Sequence, residues 1–420
     1  MSGEQKGETN TEPLRILIHS ISFAPELIGI GKYAGEMAAW LASRGHKVRV
    51  FTGHPFYPAW KVDPPYNPRK FMREEMDGYE VLRCPLYVPA KPSGLKRLVH
   101  LASFAATTGP VLVRGAKKFR PDVIFEIMPA LSGAPLALRA ASKSGAKSWL
   151  HIQDLEVDAA FATGLLKGDW IKKFALGVER KLLSQFDVIS TISPGMKKAV
   201  IAKGVPEEKL REFINWVDTD VIHPLNEPVE ARRSFELPED AFIALYSGNL
   251  GRKQGIDVLA DMAREMKDDP RFLMVIAGNG PTKEPLQEAT ADLPNVRFFP
   301  LQPIDKLNNL LNCADVHLLP QLTDATDLVL PSKLTGQLAS GRPVVTVAVP
   351  DSSLAQEVEG RGIVVDELTG EALAGAVRQL MGDKELRSQL GQAARKRAEE
   401  FWQRDNVLAD FEQQLYGLKR

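Results

Sequence analysis

Cysteine is scarce in this chain, whose 420 residues contain only Cys84 and Cys313, far apart in sequence. This pair excludes a disulfide framework and a cysteine-rich metal site, and it is typical of a reducing compartment. The seven histidines also form no cluster with the spacing of metal ligands. We therefore expect a cytoplasmic protein that holds no metal and no other cofactor.

Long apolar runs are absent as well. The longest, residues 101–113, is interrupted by threonine, glycine and proline, and it is shorter than the roughly 20 apolar residues that a spanning helix needs. Residues 1–13 are polar and lack the apolar centre of a signal peptide, so we expect a disordered tail there. The sequence thus predicts a soluble protein, or one that attaches peripherally to the inner face of a membrane.

The chain has no excess of either charge, since 53 lysines and arginines balance 53 aspartates and glutamates. No overall field draws it to nucleic acid, so we expect no nucleic-acid partner. Its length exceeds that of one ordinary core and suits two domains.

Short apolar runs alternate with helical patterns along most of the chain, which indicates parallel β-sheets covered by helices on both faces. The sequence predicts an α/β protein with two Rossmann-like, doubly wound domains, at residues 14–214 and 229–400. Residues 215–228 are rich in Pro, Asn and Asp and are expected to link the domains. Residues 401–420 are expected to form a helix that returns to the first domain.

The first strand–helix junction, PELIGIGKYAGE, carries Gly29 and Gly31 close to the start of a helix. Glycines there let the backbone approach an anion, which the free N–H groups and the positive helix end attract. A dinucleotide site is not favoured, because Ala34 occupies the third position of the G-x-G-x-x-G fingerprint. A purely structural role for both glycines is the alternative.

The second domain repeats this arrangement with added positive charge, at the strand ends YSGNLGRKQG and AGNGP. Two cations beside flexible backbone suit a diphosphate, and open parallel sheets bind ligands at the carboxyl ends of their strands. A solvated basic turn is the alternative. The candidate anion-binding residues are Gly248, Asn249, Gly251, Arg252, Lys253, Gly278 and Gly280.

Polar and ionisable residues follow another strand of the first domain, in LHIQDLEVDA. A carboxylate at a strand's carboxyl end can bind sugar hydroxyls or act as a base. His151, Gln153 and Asp154 are therefore the candidate catalytic residues. For His151 the alternative is a hydrogen-bonded core residue.

A loop also joins a helix in LPSKLTGQLASGRPVV. Pro331 suits the first turn and Ser332 the cap region of that helix. Lys333 is a candidate for neutralising phosphate, and a solvated surface lysine is the alternative.

Between Glu80 and Asp122 the chain has no carboxylate side chain, and basic residues are interleaved with apolar ones. Segments of this kind bind anionic membranes, although a solvated helix face is the alternative. We expect residues 83–120 to contact an anionic membrane surface. The basic residues are Arg83, Lys91, Lys96, Arg97, Arg114, Lys117, Lys118 and Arg120.

Together these segments resemble the large family of retaining glycosyltransferases with the GT-B fold, from Leu14 to the C-terminal helix. The likeness is strongest to colanic-acid-type exopolysaccharide enzymes, a subgroup described as fucosyltransferases. The resemblance implies an acceptor-side first domain and a donor-side second domain that face each other across a cleft. It also implies a GDP- or UDP-sugar donor, a lipid-linked glycan acceptor and catalysis without a metal.

The same resemblance implies roles for individual residues. Gly31 would lie against the donor phosphates. Arg252 and Lys253 would neutralise the diphosphate leaving group in place of a metal. Leu301 and Gln302 would contact the base.

The chain departs from the family at the Glu-x7-Glu pair, whose second Glu binds the donor ribose in many relatives. The matching positions are Leu328 and Gly336, and neither can bind a hydroxyl through its side chain. Gln153 stands where relatives often have a histidine. The candidates to replace the missing Glu are Asp327, Lys333 and Thr335.

Other functions stay open. A catalytically silent sugar-nucleotide-binding scaffold would explain the missing Glu pair, although the retained Arg252 and Lys253 argue against it. A nucleotide-sugar epimerase of similar fold would need several ionisable groups around the sugar ring, and fewer are evident here. A dehydrogenase is least favoured, because its nucleotide-binding fingerprint is missing.

Overall fold

The computed structural model describes residues 12–91, 93–128, 131–155, 157, 161, 168–225, 228–251, 254–322 and 330–418. The chain divides into two compact units. Unit 1 comprises Met1–Thr191, Lys197–Phe213 and Leu408–Arg420, and unit 2 comprises Ile192–Met196 and Ile214–Val407. The expected tail, residues 1–13, lies outside the described residues except for its last two.

Unit 1 contains a sheet of eight strands among the described residues. They are β1 (Arg15–Ser20), β2 (Lys47–Thr52), β3 (Met72–Met76), β4 (Tyr79–Arg83), β5 (Val123–Met128), β6 (Lys147–Ile152), β7 (Val188–Thr191) and β8 (Leu210–Glu212). Their spatial order is β3-β4-β2-β1-β5-β6-β7-β8. All neighbours are parallel except β3 and β4. The inner strands are apolar runs buried on both faces, as helix-covered parallel strands must be.

The described helices of unit 1 follow its strands. They are α1 (Ile30–Ser43), α2 (Gly94–Phe119), α3 (Ala134–Ser144), α4 (Asp169–Leu183) and α5 (Pro194–Ala202), of which the first residues of α5 belong to unit 2. In α1 the buried residues include Ala34, Met37, Ala38 and Leu41. Their helical spacing predicts this buried face from the sequence, and the structure confirms it. None of the described helices combines the length and apolarity that crossing a bilayer requires.

Unit 2 contains a parallel sheet of six strands among its described residues, in the order β11-β10-β9-β12-β13-β14. Apolar cores cover both faces of this sheet. The strands are β9 (Phe242–Asn249), β10 (Phe272–Asn279), β11 (Val296–Phe299), β12 (Val316–Leu319), β13 (Val344–Val347) and β14 (Gly362–Val365). The helices are α6 (Pro228–Ser234), α7 (Val258–Glu265), α8 (Lys283–Ala289), α9 (Ile304–Cys313), α10 (Lys333–Ala339), α11 (Ser353–Val358), α12 (Gly370–Gly382) and α13 (Lys384–Arg397).

The expected linker, residues 215–228, begins inside unit 2 in the structure. Trp216 and Ile222 are buried there. The amide of Val217 donates to the carbonyl of Trp402 over 2.8 Å. The first part of this segment is therefore packed structure, because Trp216, Val217 and Ile222 are buried despite the polar residues around them.

The chain returns to unit 1 through the last helix, α14 (Arg404–Gly417), whose residues from Leu408 belong to that unit. Phe411 stacks on Phe213 with ring centroids 4.1 Å apart, and it meets Phe125 edge-on at 5.1 Å. Leu408 and Leu415 are buried on the same helix. The predicted return of the C-terminal helix is therefore confirmed, although unit 1 takes up the chain at residue 408 rather than 401.

Candidate functional site

The carboxyl ends of β9 and β10 lie side by side in unit 2, with Gly248 opposite Gly278. A Cβ atom at Gly278 would lie 2.0 Å from the carbonyl oxygen of Gly248, and one at Gly280 would lie 2.3 Å from that of Leu250. Gly248 also has a φ of 127°, which favours glycine. The close approach of the two strand ends therefore requires these glycines, whatever binds there.

Lys333, at the start of α10, lies over the end of β9. Its Nζ donates to Tyr246 Oη over 2.8 Å and lies 4.1 Å from the centre of that ring. Tyr246 Oη donates in turn to the carbonyl oxygen of Asn249 over 2.7 Å. A Cβ at Gly248 would lie 3.6 Å from the lysine Cδ, so Lys333 packs directly over this glycine. We call Gly248, Asn249, Tyr246 and Lys333 the strand-end site.

The electrostatics of the strand-end site favour an anion. Burial lowers the pKa of Lys333 to about 7 and raises the pKa of Tyr246. The described hydrogen-bond partner of the ammonium group is a phenol rather than a carboxylate. Because a nearby negative charge restores the charged form of a desolvated lysine, an anionic ligand would be stabilised here.

The loop after β9 is described only in part. A Cβ at Gly251 would lie 2.4 Å from Gln254 Oε1. That oxygen is buried, and no described atom donates a hydrogen bond to it. Arg252 and Lys253, the two cations of this loop, lie outside the described residues.

The candidate residues at the start of α10 differ in their exposure to solvent. Ser332 is exposed, and its side chain makes no capping hydrogen bond. Thr335 is buried, and its Oγ1 donates to the carbonyl oxygen of Ser332 over 3.0 Å. Gly336 is described and carries no side chain, whereas Asp327 and Leu328 lie outside the described residues.

Leu301 and Gln302 follow β11, the edge strand beside β10. The Leu301 side chain is partly exposed. Gln302 Nε2 donates to the carbonyl oxygen of Pro300 over 2.9 Å. Both residues therefore lie at the same edge of the sheet as the ends of β9 and β10.

The equivalent turn of unit 1 holds Gly29 and Gly31. Gly29 has a φ of 63°. A Cβ at Gly31 would lie 2.6 Å from both Cβ and Oε2 of Glu26, and Glu26 Oε1 accepts hydrogen bonds from the amides of Phe56 and Tyr57, each over 3.0 Å. Burial raises the pKa of Glu26, while these two bonds act in the opposite direction. Gly31 thus makes room for a buried carboxyl group.

His151 has the contacts of a core residue. Its Nδ1 lies 2.9 Å from Ser190 Oγ, and its Nε2 lies 2.9 Å from Gln153 Nε2. The ring stacks against Phe125 at 5.7 Å and meets Phe213 at 5.0 Å. Burial lowers the pKa of His151 to about 3, so the ring is neutral at ordinary pH. Both ring nitrogens are occupied, which supports the structural alternative for this histidine.

Gln153 and Asp154 directly follow β6, at the carboxyl edge of the unit 1 sheet. Gln153 is half-buried against His151, whereas Asp154 is exposed. Of the three catalytic candidates, Asp154 alone presents a carboxylate at the surface. Glu156 and Asp158 lie outside the described residues.

The expected membrane segment, residues 83–120, is not uniform. Arg83 is fully buried and pairs with Glu74. Its guanidinium also donates to the carbonyl oxygens of Ala24, over 2.6 Å, and Gly53, over 3.3 Å. The prediction that this segment faces a membrane is therefore wrong for Arg83, because its charge is used inside unit 1.

The start of α2 differs from Arg83. The side chains of Leu95, Leu98 and Val99 are 75%, 47% and 47% exposed. Lys96 and Arg97 beside them are also exposed. Basic and apolar side chains therefore share one exposed helical end.

Sequence reasoning did not identify two residues that lie beside these glycines. Tyr246 lies within an apolar strand and meets Lys333 only through the fold. Glu26 lies beside the glycines of the first turn, and a carboxylate in such a turn is the signal that could have identified it.

Comparison with known proteins divides the chain in the same way. Residues 29–216 match the family model of the glycosyl transferase 4-like domain, and residues 229–397 match that of the glycosyl transferases group 1. The chain is 40% identical over 415 residues to an Escherichia coli protein named as a colanic acid biosynthesis glycosyl transferase, WcaI. The match covers 96% of this chain and 100% of that relative.

Solved structures share the fold. A sucrose-phosphate synthase from Thermosynechococcus elongatus superposes with a TM-score of 0.76 at 19% identity, covering 96% of this chain and 99% of the other. The Anabaena protein HepE, solved with UDP and glucose, superposes with a TM-score of 0.69 at 14% identity, covering 96% and 100%. The two α/β units are those of GT-B glycosyltransferases, and the chain belongs to the group 1 family of glycosyl transferases.

Proposed function

We propose that this glycosyltransferase takes its sugar from a nucleoside-diphosphate donor bound at the strand-end site of unit 2. The observation that carries the proposal is the half-buried Lys333, which lies across Gly248 and is bonded to Tyr246. A diphosphate would supply a negatively charged partner for this ammonium group, whose described hydrogen-bond partner is a neutral phenol. HepE, which shares the fold, is solved with UDP, and this supports a nucleotide ligand.

Arg252 and Lys253 would add two cations to the same diphosphate. They follow β9 within four residues of its end. Cationic side chains can stabilise the charge of a leaving diphosphate in place of a metal ion. The glycines of this edge, Gly278 and Gly280 among them, keep side chains away from the bound phosphates. Leu301 and Gln302 would contact the base, and Ser332 and Thr335 the ribose or sugar.

The donor we propose is a GDP- or UDP-sugar, with GDP-fucose as one candidate. The likeness to a colanic acid biosynthesis enzyme supports an exopolysaccharide product and a lipid-linked glycan acceptor. Transfer with retention of the anomeric configuration follows from the family resemblance. Proton NMR of fresh product distinguishes it from inversion, because the anomeric proton shows the configuration before it equilibrates.

In unit 1 we propose that Asp154 and Gln153 contact the reacting sugar or the acceptor. Asp154 is exposed directly after β6, where a carboxylate can accept hydrogen bonds from hydroxyls. His151 would act through Gln153, whose amide it holds at 2.9 Å. Gly29 and Gly31 would let the backbone of unit 1 approach the donor phosphates.

A lipid-linked acceptor places the enzyme at the cytoplasmic face of a membrane. We propose that the first turns of α2 bind the anionic surface, through Lys96 and Arg97 and the exposed Leu95, Leu98 and Val99. Each basic residue near such a surface contributes about 1 kcal/mol. Binding of this kind is reversible and needs no spanning helix.

A catalytically silent sugar-nucleotide-binding scaffold is the second candidate. Gly336 favours it, because many relatives place the ribose-binding Glu at this position. Both the enzyme and the scaffold would bind the donor, but only the enzyme would transfer its sugar.

A screen of sugar nucleotides by thermal shift, followed by a transfer assay to a lipid fraction, tests the proposal. A ligand that binds only the native state raises its melting temperature. An enzyme stabilises with one sugar nucleotide and transfers its sugar, whereas a scaffold only stabilises. If no sugar nucleotide stabilises the protein, both candidates fail.

A further inference from the structure

A cavity of about 550 Å³ lies in unit 2 at the edge of the sheet opposite the strand-end site. Asp315 precedes β12 and Arg342 precedes β13, so both stand where these strands begin. The lining also includes one side of α13 along its whole length. The cationic side chains that line it are Arg342, Lys384, Arg387, Arg395 and Lys396. We call this the basic cavity.

The acidic side chains of the basic cavity are already paired. It is lined by five cations but by only two carboxylates, those of Asp315 and Glu399. Asp315 Oδ2 accepts from Arg232 over 2.8 Å and from the amide of Ile243 over 2.8 Å. Glu399 Oε1 accepts from Arg395 Nε over 2.7 Å. Five cations against two carboxylates give the lining a net positive charge, although Arg395 pairs with Glu399 and Lys396 lies 3.8 Å from Glu400.

Arg342 has a buried donor atom, its Nε, that the described residues leave without an acceptor. Burial lowers the pKa of Arg342; the charge of Asp315 opposes this, and the positive charges of Arg232 and Arg387 add to it. The guanidinium thus lies in a positive, partly desolvated environment, where a bound anion would be stabilised.

The walls of the basic cavity are held in place by close contacts. Arg395 donates to the carbonyl oxygens of Ile222, over 2.8 Å, and Ala339, over 3.0 Å. A Cβ at Gly391 would lie 2.4 Å from the carbonyl oxygen of Gly341, so α13 packs directly on the turn that precedes Arg342. Arg395 and the turn before Arg342 are therefore held in position before any ligand binds.

We propose that the basic cavity binds a phosphate-bearing small molecule. Arginine presents planar pairs of N–H donors that match phosphate oxygens. The cavity volume lies within the range of small-molecule sites, roughly 300–1,000 Å³. Since Arg342, Lys384 and Arg387 come from two chain segments, one phosphate group can bridge the strand edge and α13.

The proposed site is separate from the donor site. Gly248 and Lys333 lie at the carboxyl ends of strands, whereas the basic cavity lies where strands begin. A ligand there leaves the donor diphosphate position free. The inference stands whether or not the strand-end site binds a sugar nucleotide.

Calorimetric titration of the full chain with inorganic pyrophosphate tests this inference, with sodium chloride at equal ionic strength as the reference. We expect saturable binding of pyrophosphate that persists in Lys333→Gln, whose donor site is weakened, and no saturable binding of chloride. The variant Lys384→Gln/Arg387→Gln should weaken binding about tenfold or more, because two charged hydrogen-bond donors are lost. Arg342→Gln tests the buried donor separately.

The control variant is Lys267→Gln/Arg297→Gln, which removes the same charges from exposed positions of unit 2 outside the cavity. It should bind pyrophosphate like the wild type. Equal weakening in the control would show a general charge effect and overturn the proposal. So would loss of binding only in Lys333→Gln, because the anion would then occupy the donor site. No saturable binding by the wild-type protein also overturns it.

Discussion

We expect the charge state of Lys333 to decide donor affinity at the strand-end site. Burial lowers its pKa to about 7 in the free protein, so the protonated fraction falls as pH rises through that value. The diphosphate binds the protonated form, and binding therefore takes up protons. We expect affinity for a sugar nucleotide to fall as pH rises above about 7. Calorimetry in buffers of different ionisation enthalpy measures both effects.

Variants of Lys333 separate its role from that of the surrounding charges. Lys333→Arg stays charged throughout and should bind with a flatter pH dependence, whereas Lys333→Gln should bind about tenfold more weakly than the wild type below about pH 7, with a difference that shrinks as pH rises. Lys267→Gln, which changes an exposed lysine of unit 2, is the matched control. The role assigned to Lys333 is wrong if Lys333→Gln keeps the affinity and pH profile of the wild type.

Sequence and fold contribute differently at the scale of single residues. The pattern LPSKLTG identifies Lys333 as a phosphate candidate, because it follows a loop and begins a helix. It cannot reveal Tyr246, which is 87 positions away and becomes a partner only when α10 meets β9. For Gly278 the sequence suggests only that the backbone can approach a phosphate. The fold shows in addition that a side chain there would collide with the carbonyl oxygen of Gly248, which no sequence pattern encodes.

At the scale of elements, one buried carboxylate holds α14 to unit 1. Glu412 is buried and accepts from His46 Nε2 over 2.8 Å and from Arg44 over 3.3 Å. His46 Nδ1 accepts from the amide of Leu14, which leaves the ring proton on Nε2 for the carboxylate. We expect Glu412→Ala to destabilise unit 1 by about 1–3 kcal/mol, because a buried donor loses its acceptor.

Denaturant unfolding of the full chain measures this effect through the shift of the unit 1 transition. Gln413→Ala, on the exposed side of the same turn, is the control and should leave the transition unchanged. Equal midpoints for Glu412→Ala and the wild type would show that α14 is held by its apolar face alone.

The first turns of α2 carry the membrane prediction. Wild-type protein should sediment with anionic vesicles at low salt and release at high salt, because salt screens the attraction. Replacing Lys96, Arg97, Lys117 and Lys118 with Ser should abolish sedimentation while sparing donor binding. The pair Lys96→Ser/Arg97→Ser alone should lose most of it, because exposed Leu95 and Leu98 adjoin only this pair.

Lys117→Ser/Lys118→Ser is the matched control, since it removes two cations from the other end of the same helix. The start of α2 is a solvated surface if wild-type protein ignores anionic vesicles at low salt. Membrane binding through the start of α2 is also excluded if Lys117→Ser/Lys118→Ser loses as much vesicle binding as Lys96→Ser/Arg97→Ser.

Elements differ in how far the sequence predicts them. All six strands of unit 2 follow from apolar runs bounded by turns, because a strand buried on both faces has few polar residues. In unit 1, the sequence does not predict β3, because its residues MREEM are largely charged. An antiparallel strand at the edge of a sheet can carry charged side chains, since it is not covered on both faces. β8 is three residues long and too short for any periodicity.

At the scale of the whole molecule, the account predicts turnover without a divalent metal. The described residues bring no three His, Cys, Asp or Glu side chains together in a group that could hold a metal. Arg252, Lys253 and Lys333 would carry the charge of the leaving diphosphate instead. Transfer rates should therefore be equal with and without a chelator. Activity lost in chelator and restored by one divalent ion would contradict this.

The sequence predicts the domain organisation only in part, and it does not predict which donor unit 2 binds. The alternating pattern and the turn between the domains predict two α/β domains and a returning helix. Trp216 and Ile222 are buried within unit 2, although the sequence of their segment resembles a linker. Donor identity depends on side chains of the loops after the strands, and local periodicity carries no information about them.

The central claim is that unit 2 binds the diphosphate of a sugar nucleotide through its cationic strand ends. Calorimetric titration of the full chain with the sugar nucleotide selected by thermal shift tests it most directly. We predict saturable binding by the wild type, and an affinity at least about tenfold lower for Arg252→Ala/Lys253→Ala, because each charged contact contributes about 1.5–3 kcal/mol. The unit 1 variant Lys117→Ala/Lys118→Ala should bind like the wild type. Equal affinity of the wild type and Arg252→Ala/Lys253→Ala, with the fold intact, would contradict the account.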